Sequence, residues 1–144
     1  MPQRKLLTRS RRRGAAAVEF AFNATVLFMI IFGMIEIGRG IMVRHLLNNA
    51  ARVGARAGII EGTSTSQIVT TVRNQLIGYG IADNVQVTVL VNGQSGDASN
   101  AQAGDTITVV AAVPANSTTL LPSSLNIIPR ITGNQSERFT LNRE

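Results

Sequence analysis

Hydrophobic and polar positions follow three rhythms along the chain. From Ala15 to Ile37 (AAAVEFAFNATVLFMIIFGMIEI) nearly every position is apolar. As a helix, 23 residues rise about 34 Å, close to the ~30 Å hydrocarbon thickness of a bilayer. From Gly38 to Ile60 the rhythm changes. Val43, Leu46, Leu47, Ala50, Val53, Gly54 and Ala57 recur at three- and four-residue steps, so they form one stripe of a continuing helix. Arg44, His45, Asn48, Asn49, Arg52 and Arg56 fall elsewhere on the wheel, where His45 is expected to be solvated. Gly54 and Gly58 are spaced small-xxx-small, which permits close approach to another helix or to a sheet. The stripe therefore joins the core of the following domain or pairs with another subunit.

Gly62 and the Thr63–Ser66 run end this helix. Ser64 and Gln67 match a capping box for a second helix near 66–77, with Ile68, Val69, Val72, Leu76 and Ile77 apolar. Gly78-Tyr79-Gly80 stops it. The period then becomes two. Val85, Val87, Val89 and Val91 predict a strand within 84–91, and Ile107, Val109, Ala111 and Val113 a second within 105–113, ended by Pro114. Asn92-Gly93 and the polar 94–104 run read as a long loop, and 115–130 as a connection. Phe139 and Leu141 mark a short final strand. The fold class expected is α+β: a long N-terminal membrane-spanning helix over 15–60, crossing at about 15–37, then a small head over 61–144 with a short helix on an antiparallel sheet.

Charge adds a leader to this picture. Arg4, Lys5, Arg9, Arg11, Arg12 and Arg13 precede Gly14 with no acid among them. The formal net charge is +6, and from Ala15 onward eight basic residues face eight acidic ones, so the whole excess lies in residues 1–14, which read as unfolded. A nucleic-acid-binding domain spreads its cations over a folded face; cations ahead of an apolar segment are a membrane-targeting arrangement. They predict a cytoplasmic N-terminus and a head outside. With no cysteine and one histidine, thiolate and two-imidazole metal sites are excluded. Asp83, Asp97 and Asp105 fit no calcium loop by spacing. No nucleophile–base pair or phosphate loop is present, so the chain is expected to be neither an enzyme nor a cofactor protein.

Candidate chemistry concentrates at Arg11-Arg12-Arg13-Gly14-Ala15-Ala16-Ala17-Val18-Glu19-Phe20. Glu19 is the oddity, because a carboxylate at the centre of a membrane helix costs ~2.5–3.5 kcal/mol and less near an interface. Its bland reading is an ordinary interfacial acid. If the chain is cut between Gly14 and Ala15, the new ammonium of Ala15 lies four residues away, about 6 Å along the axis. It can then pair with Glu19 of the same chain or of a neighbour.

The junction resembles the class III signal of type IV pilins and pseudopilins. More closely, RRGAAAVEFAF, then IIFGMIEIGRG, then NNAARVGARAG resemble TadE-like pseudopilins of the tight-adherence (Flp) pilus system, over about Arg11 to Gly58. The resemblance implies cleavage after Gly14 by a prepilin peptidase, a role in assembly for Glu19, and a minor or assembly role in a surface pilus. Phe20 stands where the major Flp pilins carry tyrosine, which favours the TadE branch. The implied partners are that peptidase, other pilins or pseudopilins, and membrane lipid; nucleic acid and small-molecule substrates are not expected. Asn23-Ala24-Thr25 departs from the usual apolar run after the motif. Two other readings stand beside this one: a major pilin subunit, and a signal-anchored module whose head binds an extracytoplasmic ligand without processing at Gly14.

Overall fold

The computed structural model describes residues 7–114 and 135–143, with side chains from Gly14 to Pro114 and from Ser136 to Arg143. The connection expected over 115–130 lies outside the described residues. Helix α1 runs from Leu7 to Gly58. It therefore starts inside the segment that reads as unfolded. Between Leu7 and Arg13 there is neither proline nor glycine, and leucine and arginine are good helix formers. Extending an existing helix avoids a new nucleation cost, so the basic segment joins α1 one turn and more before Gly14.

Helix α2 spans Thr65–Leu76 and is capped as the sequence predicts. The Ser64 amide donates to Gln67 Oε1 at 2.9 Å and the Gln67 amide to Ser64 Oγ at 3.4 Å. Gly80 takes a left-handed φ of 69° just past the short turn Ile77–Tyr79. Strands β1 (Gln86–Val91), β2 (Gln94–Ser95), β3 (Thr106–Val113) and β4 (Gln135–Asn142) form one antiparallel sheet in the order β2-β1-β3-β4. The expected long loop after Val91 is instead a tight hairpin. Asn92 and Gly93 both have positive φ, 52° and 80°, as the two central positions of a hairpin turn require. Gln94 and Ser95 then pair back onto Val91 and Leu90.

The chain divides into two compact units, residues 1–35 and 36–144. In the second, one face of the sheet meets both helices. Val109 pairs with Val89 on one side and Phe139 on the other, and Ile107 with Val91 and Leu141. Ile107, Val109, Ala111 and Val113 of β3 are fully buried, together with Leu47, Ala50, Ala51 and Ala55 of α1 and Ile68 and Val72 of α2. Of the two fates open to the stripe on α1, it thus joins the head's core. Its small residues are a packing requirement. A Cβ on Gly54 would stand 2.5 Å from Val72 Cγ2 and 3.4 Å from Val109 Cγ1; one on Gly58 would stand 3.0 Å from both Ile68 Cδ1 and Ile107 Cγ2. The glycines let α1 sit against helix α2 and strand β3 at once.

Candidate functional site

Residues 14–35 of α1 are covered by almost nothing in this chain. Gly14, Ala15, Glu19 and Phe20 are all exposed, and so are Val18, Phe22, Leu27, Phe28, Met29, Ile30, Phe32 and Met34. Phe20 retains 75% of its surface and Phe22 70%. A helix apolar on every side is stable only where lipid or protein surrounds it. The helix has a mean hydropathy of 2.0 over its most apolar window, and it is the one helix among the described residues long and apolar enough to cross a membrane. Its polar positions are modest. The Thr25 hydroxyl donates to the Ala21 carbonyl at 2.9 Å, which satisfies it inside the helix. Glu19 has no ion-pair partner among the described residues, and its side chain rises from the face that carries Ala15 one turn earlier.

The Gly14–Ala15 bond lies within regular helix rather than at a helix start. A Cβ on Gly14 would meet nothing within 4 Å, and Gly14 has no positive φ. The same openness holds at Gly33 and Gly38. At these glycines, unlike Gly54 and Gly58, no neighbour among the described residues requires the missing Cβ.

Elsewhere the charged groups hold the head together. Arg44 Nε lies 3.3 Å from Glu137 Oε1, and Asn48 Nδ2 donates to Glu137 Oε2 at 3.4 Å. The Arg52 guanidinium lies 5.0 Å from the centre of the Phe139 ring. The polar face of α1 thus runs along β4, while His45 is exposed as expected. Glu36 is buried.

Arg143 is the side chain that sequence reasoning missed. It is 1% exposed, and its guanidinium donates to the carbonyls of Gly58 (3.1 Å), Ile59 (3.4 Å), Ile60 (2.7 Å), Ala98 (3.4 Å) and Ala101. The last carbonyls of α1 have no partner within the helix and carry its negative dipole end. A cation supplied from β4 satisfies both. Arg143 directly follows β4, two positions past Leu141, but nothing in the strand's period of two points to the carbonyls it meets.

The acidic loop residues are likewise used internally. Asp97 Oδ1 accepts from the Thr65 amide at 3.0 Å, the Ser99 amide at 3.1 Å and the Thr65 hydroxyl at 3.2 Å. These bonds, the Thr65 amide first, hold its carboxyl below the usual aspartate value. Asp105 accepts from Asn92 Nδ2 at 2.8 Å and the Gln102 amide at 2.7 Å. It too is held low, chiefly by Asn92. No group of three or more metal-ligating side chains occurs among the described residues.

Comparison with known proteins bears on the exposed helix. The family model described as TadE-like protein matches residues 14–56. Over those residues the chain is similar to TadE-like proteins. The match opens at Gly14, leaves out the basic leader, and takes in 43 of the chain's 144 residues. The matched segment contains both the exposed stretch with Glu19 and most of the buried stripe; α2 and the sheet lie beyond it. No curated protein and no solved structure matches the chain.

Proposed function

We propose that this protein is a minor, pilin-like subunit that assists assembly of a tight-adherence pilus after a prepilin peptidase cuts the Gly14–Ala15 bond. The observation that carries the reading is the TadE-like match, which begins at Gly14 on a helix whose apolar surface is bare. The helix anchors the chain in the membrane, with the six cations of the leader on the cytoplasmic side and the head outside. The openness around Gly14 supports an external reason for glycine there. In a helix interior glycine is about 1 kcal/mol less favourable than alanine, so the helix opens most readily at Gly14, and an opened strand without a Cβ enters a narrow peptidase site. Cleavage removes six positive charges and leaves an ammonium on Ala15. In a bundle of such helices, Glu19 is then neutralised by the Ala15 ammonium of a neighbour, where an unpaired carboxylate would be costly. Phe20 packs beside that pair. The chain acts structurally, without catalysis.

The test separates insertion from assembly. Glu19→Ala is expected to leave the protein in the membrane fraction, uncoupled from its partners, with sheared filaments lost or reduced. Gly14→Val is expected to block cleavage and assembly together. Normal filaments from Glu19→Ala cells would refute the role given to that carboxylate.

A further inference from the structure

We propose that Asn92 is a site of spontaneous deamidation, and that a side-chain clasp to Asp105 and Thr106 sets its rate. Asn92 and Gly93 form the turn between β1 and β2, whose two central positions require positive φ; they take 52° and 80°. Asparagine and glycine accept that conformation more readily than other residues. The same pair carries a chemical liability. Glycine has no side chain to shield its amide nitrogen from the side-chain carbonyl carbon of a preceding asparagine. Asn92 is the one asparagine in the chain followed by glycine; each of the others precedes a residue that bears a side chain. Both turn residues are exposed, so water reaches them.

The step needs no cofactor. The Gly93 amide nitrogen bonds to Cγ of Asn92 and gives up its proton, the Cγ–Nδ2 bond breaks, and ammonia leaves. Water then opens the five-membered imide at one carbonyl or the other, giving aspartate or isoaspartate. One water is consumed, one ammonia is released, and nothing is oxidised or reduced.

The fold restrains this reaction. Asn92 Nδ2 donates to Asp105 Oδ1 at 2.8 Å, and Asn92 Oδ1 accepts from the Thr106 amide at 2.9 Å. The backbone amide of Asn92 donates to the Thr106 carbonyl at 2.8 Å. Asp105 is itself fixed: its Oδ2 accepts from the Gln102 amide at 2.7 Å, and its own amide donates to the Gln102 carbonyl at 3.0 Å. Both ends of the Asn92 side-chain amide are thus tied to the start of β3. Cγ swings over the Gly93 nitrogen only when the clasp opens. Conversion to aspartate replaces the Nδ2 donor with an oxygen that faces Asp105 Oδ1. Two carboxylates then repel where a hydrogen bond stood, so the clasp does not re-form.

The full chain in detergent would be held in mildly alkaline buffer, then digested, and the Asn92 peptide followed by mass and by enzymatic methylation of isoaspartate. A synthetic peptide of residues 86–98 supplies the unrestrained rate. The parent is expected to convert about tenfold more slowly than the peptide, as two hydrogen bonds of ordinary strength allow. Asp105→Ala removes one of them and should speed conversion about threefold to tenfold, with the circular dichroism spectrum unchanged. A second measurement needs no substitution. Opening the clasp exposes little surface, so the parent's rate should stay nearly flat in denaturant until the unfolding transition. A parent that converts as fast as the peptide overturns the clasp. A folded Asp105→Ala chain no faster than the parent does the same, as does a rate that climbs with global unfolding from the lowest denaturant. No conversion in the peptide or in Asp105→Ala overturns the site itself.

Discussion

Two stretches of one helix, 18–35 and 43–58, are both rich in apolar residues, yet their surroundings are opposite. Phe20 keeps 75% of its surface, while Leu47 keeps none. The first stretch uses large side chains on every side of the helix; the second confines small ones to a stripe and puts arginine and asparagine elsewhere. Large residues all round suit a fluid, undirected apolar medium, which makes no demand on shape. Small residues on one stripe suit a fixed partner that must come close. The glycines make the same point: Gly14, Gly33 and Gly38 touch nothing, whereas Gly54 and Gly58 face side chains that leave no room for a Cβ. Apolar content alone does not separate an anchor from a core element. The distribution of side-chain size around the helix does.

This contrast can be broken by substitution, with head stability read by denaturant unfolding of the detergent-solubilised chain. Arg143→Met is expected to cost most. Two of its bonds, to Gly58 and Ala98, are fully buried, and each buried carbonyl left without a partner costs about 1–3 kcal/mol. The loss should be about 2–6 kcal/mol, and a variant as stable as the parent would mean that α1 does not need this cap. Leu47→Ala should cost about 2–5 kcal/mol, as large-to-small core changes do. The matching change in the other stretch, Phe22→Ala, should stay within about 0.5 kcal/mol. Equal losses at both sites would erase the distinction drawn here. Gly54→Ala should cost about 1–3 kcal/mol through overpacking against Val72, while Gly33→Ala leaves the head unchanged.

The smallest effect concerns acid. Asp97 and Asp105 are both held below the usual aspartate value by the hydrogen bonds they accept. A depressed carboxyl contributes stability that is present above its unfolded value and is lost as pH falls through its folded value. Amide exchange at Thr65, Ser99 and Gln102 should therefore quicken on acidification below the ordinary carboxylate range, before the core opens. Asp97→Asn should remove that pH response at Thr65 and Ser99 and spare it at Gln102.

Much of the head was legible because its signals are local and periodic. The capping box at Ser64 and Gln67, the stripe on α1 and the valines of β1 each follow from spacing within a dozen residues. The features that escaped join distant parts of the chain or lack an apolar rhythm. Gln94 and Ser95 form a strand with no apolar residue, so only Asn92-Gly93 announced the hairpin. Arg143 finds its carbonyls some 80 positions away, and no local pattern encodes that meeting. The helical start at Leu7 reflects propagation from a helix already formed. At the candidate site, Gly14, Ala15, Glu19 and Phe20 were readable because a cationic run, a glycine and a carboxylate in an apolar helix are each conspicuous. The structure adds that all four are exposed, and that a Cβ on Gly14 would meet nothing within 4 Å.

The central claim is that the chain matures by hydrolysis between Gly14 and Ala15. Intact mass of the protein taken from the membranes of piliated cells tests it directly. The account predicts a single mature species that begins at Ala15 and has lost residues 1–14 entire. A full-length chain with its leader intact in cells that carry pili would contradict it.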